Sequence, residues 1–171
     1  TIDDIGPATG EKIAKIPRTL DANASISAAK EAKKDWANRT IAERAQWLGK
    51  IADAIEQRKS ELAKVESLDT GKPIEVALNV DIDRCIKNFR FFSEYHSHIS
   101  ENEFRMDDAT NFILRKPMGV VALITPWNLP LYLLTWKLAP ALLMGNTVVA
   151  KPSELTPLSA HSLCQIFEYI F

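Results

Sequence analysis

Gly119-Val120-Val121-Ala122-Leu123-Ile124-Thr125 runs straight into Pro126-Trp127-Asn128-Leu129-Pro130, and Thr147-Val148-Val149-Ala150 runs into Lys151-Pro152-Ser153-Glu154. Each is a short apolar run stopped by proline, the pattern of a parallel strand buried on both faces. Between them, Leu131 to Met144 is apolar and of helical length, closed by Gly145-Asn146. After them, Thr156-Pro157 opens another helix with Leu163, Phe167 and Ile170 on one side. The order β-α-β-α implies a parallel sheet with helices packed on it. The two polar tips then sit at the carboxyl edge of strands roughly 4.8 Å apart, where open α/β sheets bind their ligands. Two polar turns that merely end strands would read the same way.

Upstream the chain changes character and becomes charged and helical. Gly6-Pro7-Ala8-Thr9-Gly10 reads as a turn before a short alternating strand, Lys12 to Ile16. Thr19 is the expected N-cap of a helix carrying Ala22, Ile26, Ala29 and Trp36. Thr40-Ile41-Ala42-Glu43 has the capping-box pattern, followed by Ile41, Ala45, Leu48, Ala52 and Ile55 as one apolar stripe. A third helix places Leu62, Val65 and Leu68 inward and ends at Gly71, which suits a left-handed cap. Pro73 opens a long fourth helix with Ile74, Leu78, Ile82, Cys85, Phe89, Phe92 and His96 on one side. A turn at Asp107-Asp108 and a strand from Asn111 to Arg115 lead into the decisive stretch.

Composition narrows the function. With 21 Lys+Arg against 22 Asp+Glu over 171 residues, the net charge of -1 lacks the basic excess of a nucleic-acid binder. No apolar run approaches the ~20 residues of a membrane span, and no charged-then-apolar leader opens the chain, so a soluble, cytoplasmic protein is expected. Six glycines form neither a GxGxxG nor a P-loop. Two cysteines, Cys85 and Cys164, match no disulfide framework or zinc spacing, and both read as packing residues on apolar stripes. His96 and His98 lie two apart, on different helix faces, which makes a poor metal pair, and no metal site is expected from them. Two parallel strands are both edges and need cover, so the chain is expected to be the front part of a larger fold.

The stretch Ile124-Thr125-Pro126-Trp127-Asn128-Leu129-Pro130, then Trp136-Lys137-Leu138-Ala139-Pro140, then Gly145-Asn146-Thr147 through Lys151-Pro152-Ser153-Glu154-Leu155-Thr156-Pro157, resembles the aldehyde dehydrogenase superfamily. Pro7-Ala8-Thr9-Gly10-Glu11 and Leu68-Asp69-Thr70-Gly71-Lys72-Pro73 match its amino-terminal pattern, so the likeness covers essentially the whole chain. The resemblance implies an α/β fold: amino-terminal helices, then the first β-α-β-α of a Rossmann-like parallel sheet, an incomplete domain. Residues 1–104 would be the helical part of the cofactor-binding domain, 105–118 a strand or hairpin of the oligomerisation region, and 119–171 the start of the NAD-binding sheet.

The resemblance also implies roles. Asn128 matches the side-chain amide of the oxyanion hole, an uncharged donor that stabilises developing negative charge without protonating it. Lys137 matches a lysine assigned to proton relay or active-site organisation, although a helix lysine that caps or pairs is the plainer alternative. Ile124, Thr125, Pro126 and Trp127, with Asn128, match the nicotinamide-ribose wall of an NAD site; Lys151, Ser153 and Glu154 match its adenine-ribose end. Arg84, within Asp81-Ile82-Asp83-Arg84, resembles the 2-aminomuconic and 2-hydroxymuconic semialdehyde dehydrogenase branch, where an arginine grips a substrate carboxylate. A solvated helix arginine is the alternative. Leu129, Leu133 and Trp136 would line an apolar aldehyde tunnel. Asp4, Ile5, Asp69 and Leu155 match groups around a monovalent cation in relatives.

By the same resemblance, the nucleophilic Cys and the Glu general base lie beyond a position equivalent to Phe171. The complete protein would oxidise an aldehyde, expected to be a semialdehyde, to the carboxylate through a thiohemiacetal and thioester, as a homodimer or homotetramer. These 171 residues alone are expected to be inactive. A truncated, non-catalytic interaction module is the alternative reading.

Overall fold

The computed structural model describes residues 1–19, 21–99 and 102–171. Among these residues, three two-stranded sheets frame a helical core. β1 (Ile2–Ile5) pairs antiparallel with β2 (Lys12–Ile16) around the Gly6–Gly10 turn. α1 (Asn23–Asn38), α2 (Ile41–Gln57) and α3 (Lys59–Thr70) follow, then a short α4 (Ile74–Val76), a π-helical stretch over Ala77–Ile82, and α5 (Asp83–Tyr95). A hairpin of β3 (Asn102–Arg105) and β4 (Thr110–Ile113) precedes β5 (Val120–Ile124), α6 (Pro130–Leu143), β6 (Thr147–Lys151) and α7 (Leu158–Ile170). β5 and β6 are parallel, in register from Val120 opposite Thr147 to Ile124 opposite Lys151.

The core is made chiefly by helices. Leu48, Ile51 and Ile55 of α2, Phe89 of α5, Leu131 and Leu143 of α6 and Leu163 and Ile166 of α7 meet in one cluster, nearly or fully out of solvent. The Thr40 capping box forms in full: the Thr40 hydroxyl accepts from the Glu43 amide and the Glu43 carboxylate accepts from the Thr40 amide. Gly71 adopts φ 73°, and a Cβ there would come within 2.8 Å of the Pro7 ring, so glycine is required both by conformation and by space. No helix of the described residues is long and apolar enough to cross a membrane.

Several elements differ from expectation. β1 carries no apolar alternation because its inward residue is Asp4. α1 starts at Asn23, where the Asp21 carboxylate accepts from the Asn23 amide; Thr19 does not cap it, and residue 20 lies outside the described residues. α3 is rotated by one position: Glu66 and Asp69 face inward below Leu62, Val65 is half-buried and Leu68 is exposed. In the fourth helical segment Leu78, Ile82, Cys85, Phe89 and Phe92 face the core as expected, Ile74 at its start is exposed, and the wider π-helical turn adds Ala77 and Asp81 to the buried side. The hairpin begins at Asn102, and β4 stops at Ile113 instead of running to Arg115. β5 and β6 are not buried on both faces. α1 covers only their amino ends, where the Thr147 hydroxyl donates to the Ala29 carbonyl, and Ala122, Ile124, Ala150 and Lys151 are exposed.

Candidate active site

Parallel pairing brings the ends of β5 and β6 to one edge, and the ladder continues one step past Ile124, with the Thr125 amide donating to the Lys151 carbonyl at 3.2 Å. The chain then leaves the sheet as two loops that are tied together: the Thr156 hydroxyl donates to the Trp127 carbonyl at 3.2 Å. Thr125 is buried, whereas Ile124, Pro126, Trp127 and Asn128 are exposed along the open edge. Pro130 occupies the first turn of α6, where its fixed φ suits a helix start, so the Asn128 turn is stiffened on both sides.

The Lys137 ammonium reaches back from α6 to the Ile124 carbonyl at 2.7 Å. It therefore fastens the helix to the tip of β5, an organising contact of the capping kind. Lys151 and Glu154 pair at 2.8 Å on the exposed rim, and that hydrogen bond holds the Glu154 carboxyl below its ordinary pKa. Ser153 is buried, and its hydroxyl accepts from the Leu155 amide at 3.2 Å, so it shapes the turn behind Glu154.

Arg84 is exposed on α5 and makes no ion pair among the described residues. One turn further, the Asn88 amide donates to the Thr135 hydroxyl at 3.0 Å, which puts this flank of α5 against α6. On α6, Leu129 at the cap and Leu133 are half-buried, and Trp136 is exposed beside Tyr132 at 5.3 Å between ring centroids.

Beneath the Trp127-Asn128 turn lies a cavity of about 310 Å³ bordered by Ile5, Asp69, Lys72, Trp127, Asn128 and Leu155. Asp4 and Asp69 face each other beside it, and the Leu158 amide donates to Asp69 at 2.8 Å. Burial pushes the Asp69 carboxyl up to about 7 and raises that of Asp4. The four cation candidates thus come to one corner. Among the described residues no group of three or more His, Cys, Asp or Glu is arranged to hold a metal ion.

Sequence reasoning missed the charges under this turn. Lys72 donates to Asp81 at 2.5 Å, lies 4.0 Å from Glu66 and donates to the Asn128 carbonyl at 3.5 Å. Their spacing gave no signal, because acids at helical intervals read as a solvated face. Of the two cysteines, only Cys85 is a packing residue: burial raises its pKa well above the ordinary thiol value, and its Sγ donates to the Asp81 carbonyl. Cys164 is exposed, against the packing expectation, because the face of α7 that carries it has no covering element.

With this edge and its loops in place, the sequence matches one family over residues 1–170: the chain belongs to the aldehyde dehydrogenase family. It is 49% identical over 171 residues to the 2-aminomuconic semialdehyde dehydrogenase of Danio rerio, covering 98% of this chain and 35% of that protein. With the 2-hydroxymuconic semialdehyde dehydrogenase of Pseudomonas sp. (strain CF600) it shares 40% over 176 residues, covering 98% and 36%. A crystal structure of PnpE in complex with nicotinamide adenine dinucleotide superposes with a TM-score of 0.94 at 40% identity, over 99% of this chain and 35% of that one. The chain spans about a third of the length of these relatives.

Proposed function

We propose that this chain is the amino-terminal portion of an NAD-dependent enzyme that oxidises an aldehyde, of the semialdehyde class, to its carboxylate. The observation that carries the reading is the register of Ile124 opposite Lys151, which sets the Ile124–Asn128 loop beside the Lys151–Glu154 pair at one open edge. The chemistry of that rim fits a dinucleotide. A ribose diol needs an acceptor and a donor close together, and Glu154 and Lys151 supply one of each at 2.8 Å from one another. Ile124 and Trp127, 67% and 59% exposed, offer apolar surface for the nicotinamide-ribose end. When bound, NAD supplies the acceptor for the electron pair of the aldehyde C–H bond.

The chain's own residues then do three things. Thr125, Pro126 and Trp127 shape the wall, with Ser153 holding the turn that presents Glu154. Asn128 donates its side-chain amide to the carbonyl oxygen of the aldehyde as that oxygen gains charge, from a turn that Pro126 and Pro130 keep preorganised. Arg84 faces the carboxylate of a semialdehyde substrate, and Leu129, Leu133 and Trp136 receive its carbon skeleton. Lys137 organises the site through the Ile124 carbonyl. The nucleophile and general base come from the remainder of the enzyme. Residues 1–104, 105–118 and 119–171 serve as helical part, oligomerisation hairpin and start of the cofactor sheet; exposed Phe104, Phe112 and Leu114 support a dimer or tetramer through that hairpin.

The test is Asn128→Ala in the complete enzyme. Turnover should fall roughly 100- to 1000-fold with NAD affinity little changed. A variant that loses thermal stability yet turns over normally per folded molecule would end the oxyanion assignment.

A further inference from the structure

We infer that Lys72 is a positioning residue for Asn128, holding the backbone carbonyl of that residue from a buried pair of carboxylates; the inference rests on the oxyanion reading of Asn128 given above. Gly71, in its left-handed conformation, turns the chain so that Lys72 runs back under the Trp127-Asn128 turn, with only 16% of its side chain exposed. An ammonium has three donors. Here they face Asp81 at 2.5 Å, Glu66 at 4.0 Å and the Asn128 carbonyl at 3.5 Å, the last being the only hydrogen bond of that carbonyl among the described residues.

The two carboxylates are themselves deeply held. Asp81 is 1% and Glu66 0% exposed. Asp81 stands on the π-helical turn Ala77–Ile82, and that irregularity turns it inward onto Lys72 while Arg84 stays outside on the same run of helix. Glu66 approaches the Leu131 amide in the first turn of α6 and the Ser159 hydroxyl without closing a hydrogen bond to either. Lys72 and Glu66 thus address one corner of chain from its two ends, a carbonyl at residue 128 and an amide at residue 131. A purely structural ion pair would close on its carboxylates. This ammonium also reaches the peptide that follows the Asn128 Cα, one of the two planes that set the aim of its side chain, and at 3.5 Å it acts on that carbonyl as an oriented charge on a dipole.

The experiment uses the complete enzyme with Lys72→Met, Lys72→Arg and the double variant Lys72→Met/Asp81→Asn, which removes the nearer of the two buried carboxylates that a lone Lys72→Met would strand. Single-turnover NADH formation per folded enzyme and KM for aldehyde and NAD are measured for each, alone and combined with Asn128→Ala. The double variant should lower the single-turnover rate on the order of 10- to 100-fold, the scale of an ångström-sized displacement. Both KM values should stay within about 3-fold, and Lys72→Arg should recover most of the rate. In the Asn128→Ala background, losing Lys72 should cost less than about 2-fold, because the group it positions is already gone. An equal loss in both backgrounds, or a folded double variant with an unchanged rate, overturns the positioning role while leaving Asn128 intact. If Asn128→Ala itself leaves turnover unchanged, the oxyanion reading falls and this inference with it.

Discussion

Asp69→Asn should make the protein more stable at pH 8, with a much smaller gain of ~1 kcal/mol at pH 4.5. Asp69 and Asp4 are 1% and 2% exposed and face each other between α3, β1 and the start of α7. One Asp69 oxygen accepts from the Leu158 amide, while Asp69 Oδ1 and Asp4 Oδ2 have no partner among the described residues. Desolvation is the main cause that raises the Asp69 carboxyl from 3.8 to about 7, with the Asp4 and Glu66 charges adding to it. The unfolded chain releases this proton near 3.8 and the folded protein keeps it to about 7. Between those limits the folded state binds more protons, so rising pH removes stability: the contribution is whole below 3.8, falls across the window and is gone above about 7.

About three pKa units at ~1.4 kcal/mol each give a ceiling of ~4 kcal/mol, part of which belongs to Asp4. The side-chain amide introduced by Asp69→Asn would keep an oxygen for the Leu158 amide and offer an N–H to Asp4 without a charge. A gain of ~2–4 kcal/mol at pH 8, or roughly 5–12 °C in Tm, is expected. Thermal melts of both proteins at pH 4.5, 6 and 8 measure it. A variant less stable than wild type at pH 8, or a difference between them that does not grow with pH, refutes the reasoning. Adding KCl at constant ionic strength against tetramethylammonium chloride tests the cation candidates in the same experiment. A cation held by both carboxylates would raise the wild-type Tm at pH 8 and leave the variant unmoved.

Two further outcomes are expected. Glu154→Ser should narrow the preference of the complete enzyme for NAD over NADP, measured as the ratio of kcat/KM values. Because Glu154 is exposed and paired with Lys151, screening limits the unmodified preference to on the order of 10-fold, and equal use of both cofactors would refute the Glu154 assignment. Thr40→Ala removes the hydroxyl that caps α2 and should cost about 1 kcal/mol, or a Tm loss of roughly 2–4 °C, without altering turnover.

Much of the architecture could be read from local pattern. The stripe of α2 and its cap were legible because Ile41, Ala45, Leu48, Ala52 and Ile55 obey helical spacing and Thr40 and Glu43 satisfy each other with no help from elsewhere. The two parallel strands and the loops that end them were legible for a similar reason: β-branched runs stopped by proline have few other conformations. Their exposure was not, because burial depends on which elements cover a sheet, and no strand encodes its own cover.

The misread elements share one cause. Periodicity alone omits β1, rotates α3 and leaves one inward residue off the otherwise correct stripe of the fourth helix, at the positions where an acid points inward: Asp4, then Glu66 and Asp69, then Asp81. A search for apolar periodicity turns such residues outward and picks Val65 and Leu68 in their place. The burial is tolerated because partners arrive from outside each acid's own helix or strand, the Leu158 amide on Asp69 and the Lys72 ammonium on Asp81. Glu66 and Asp81 stand under the Asn128 turn, and Asp4 and Asp69 line the corner beside it. A chain that places so many acids out of water, with orphaned oxygens left on each, gives up stability at one location. Local rules therefore failed where tertiary charge pairing replaces apolar packing, and that replacement is concentrated beneath the loop on which the proposed chemistry depends.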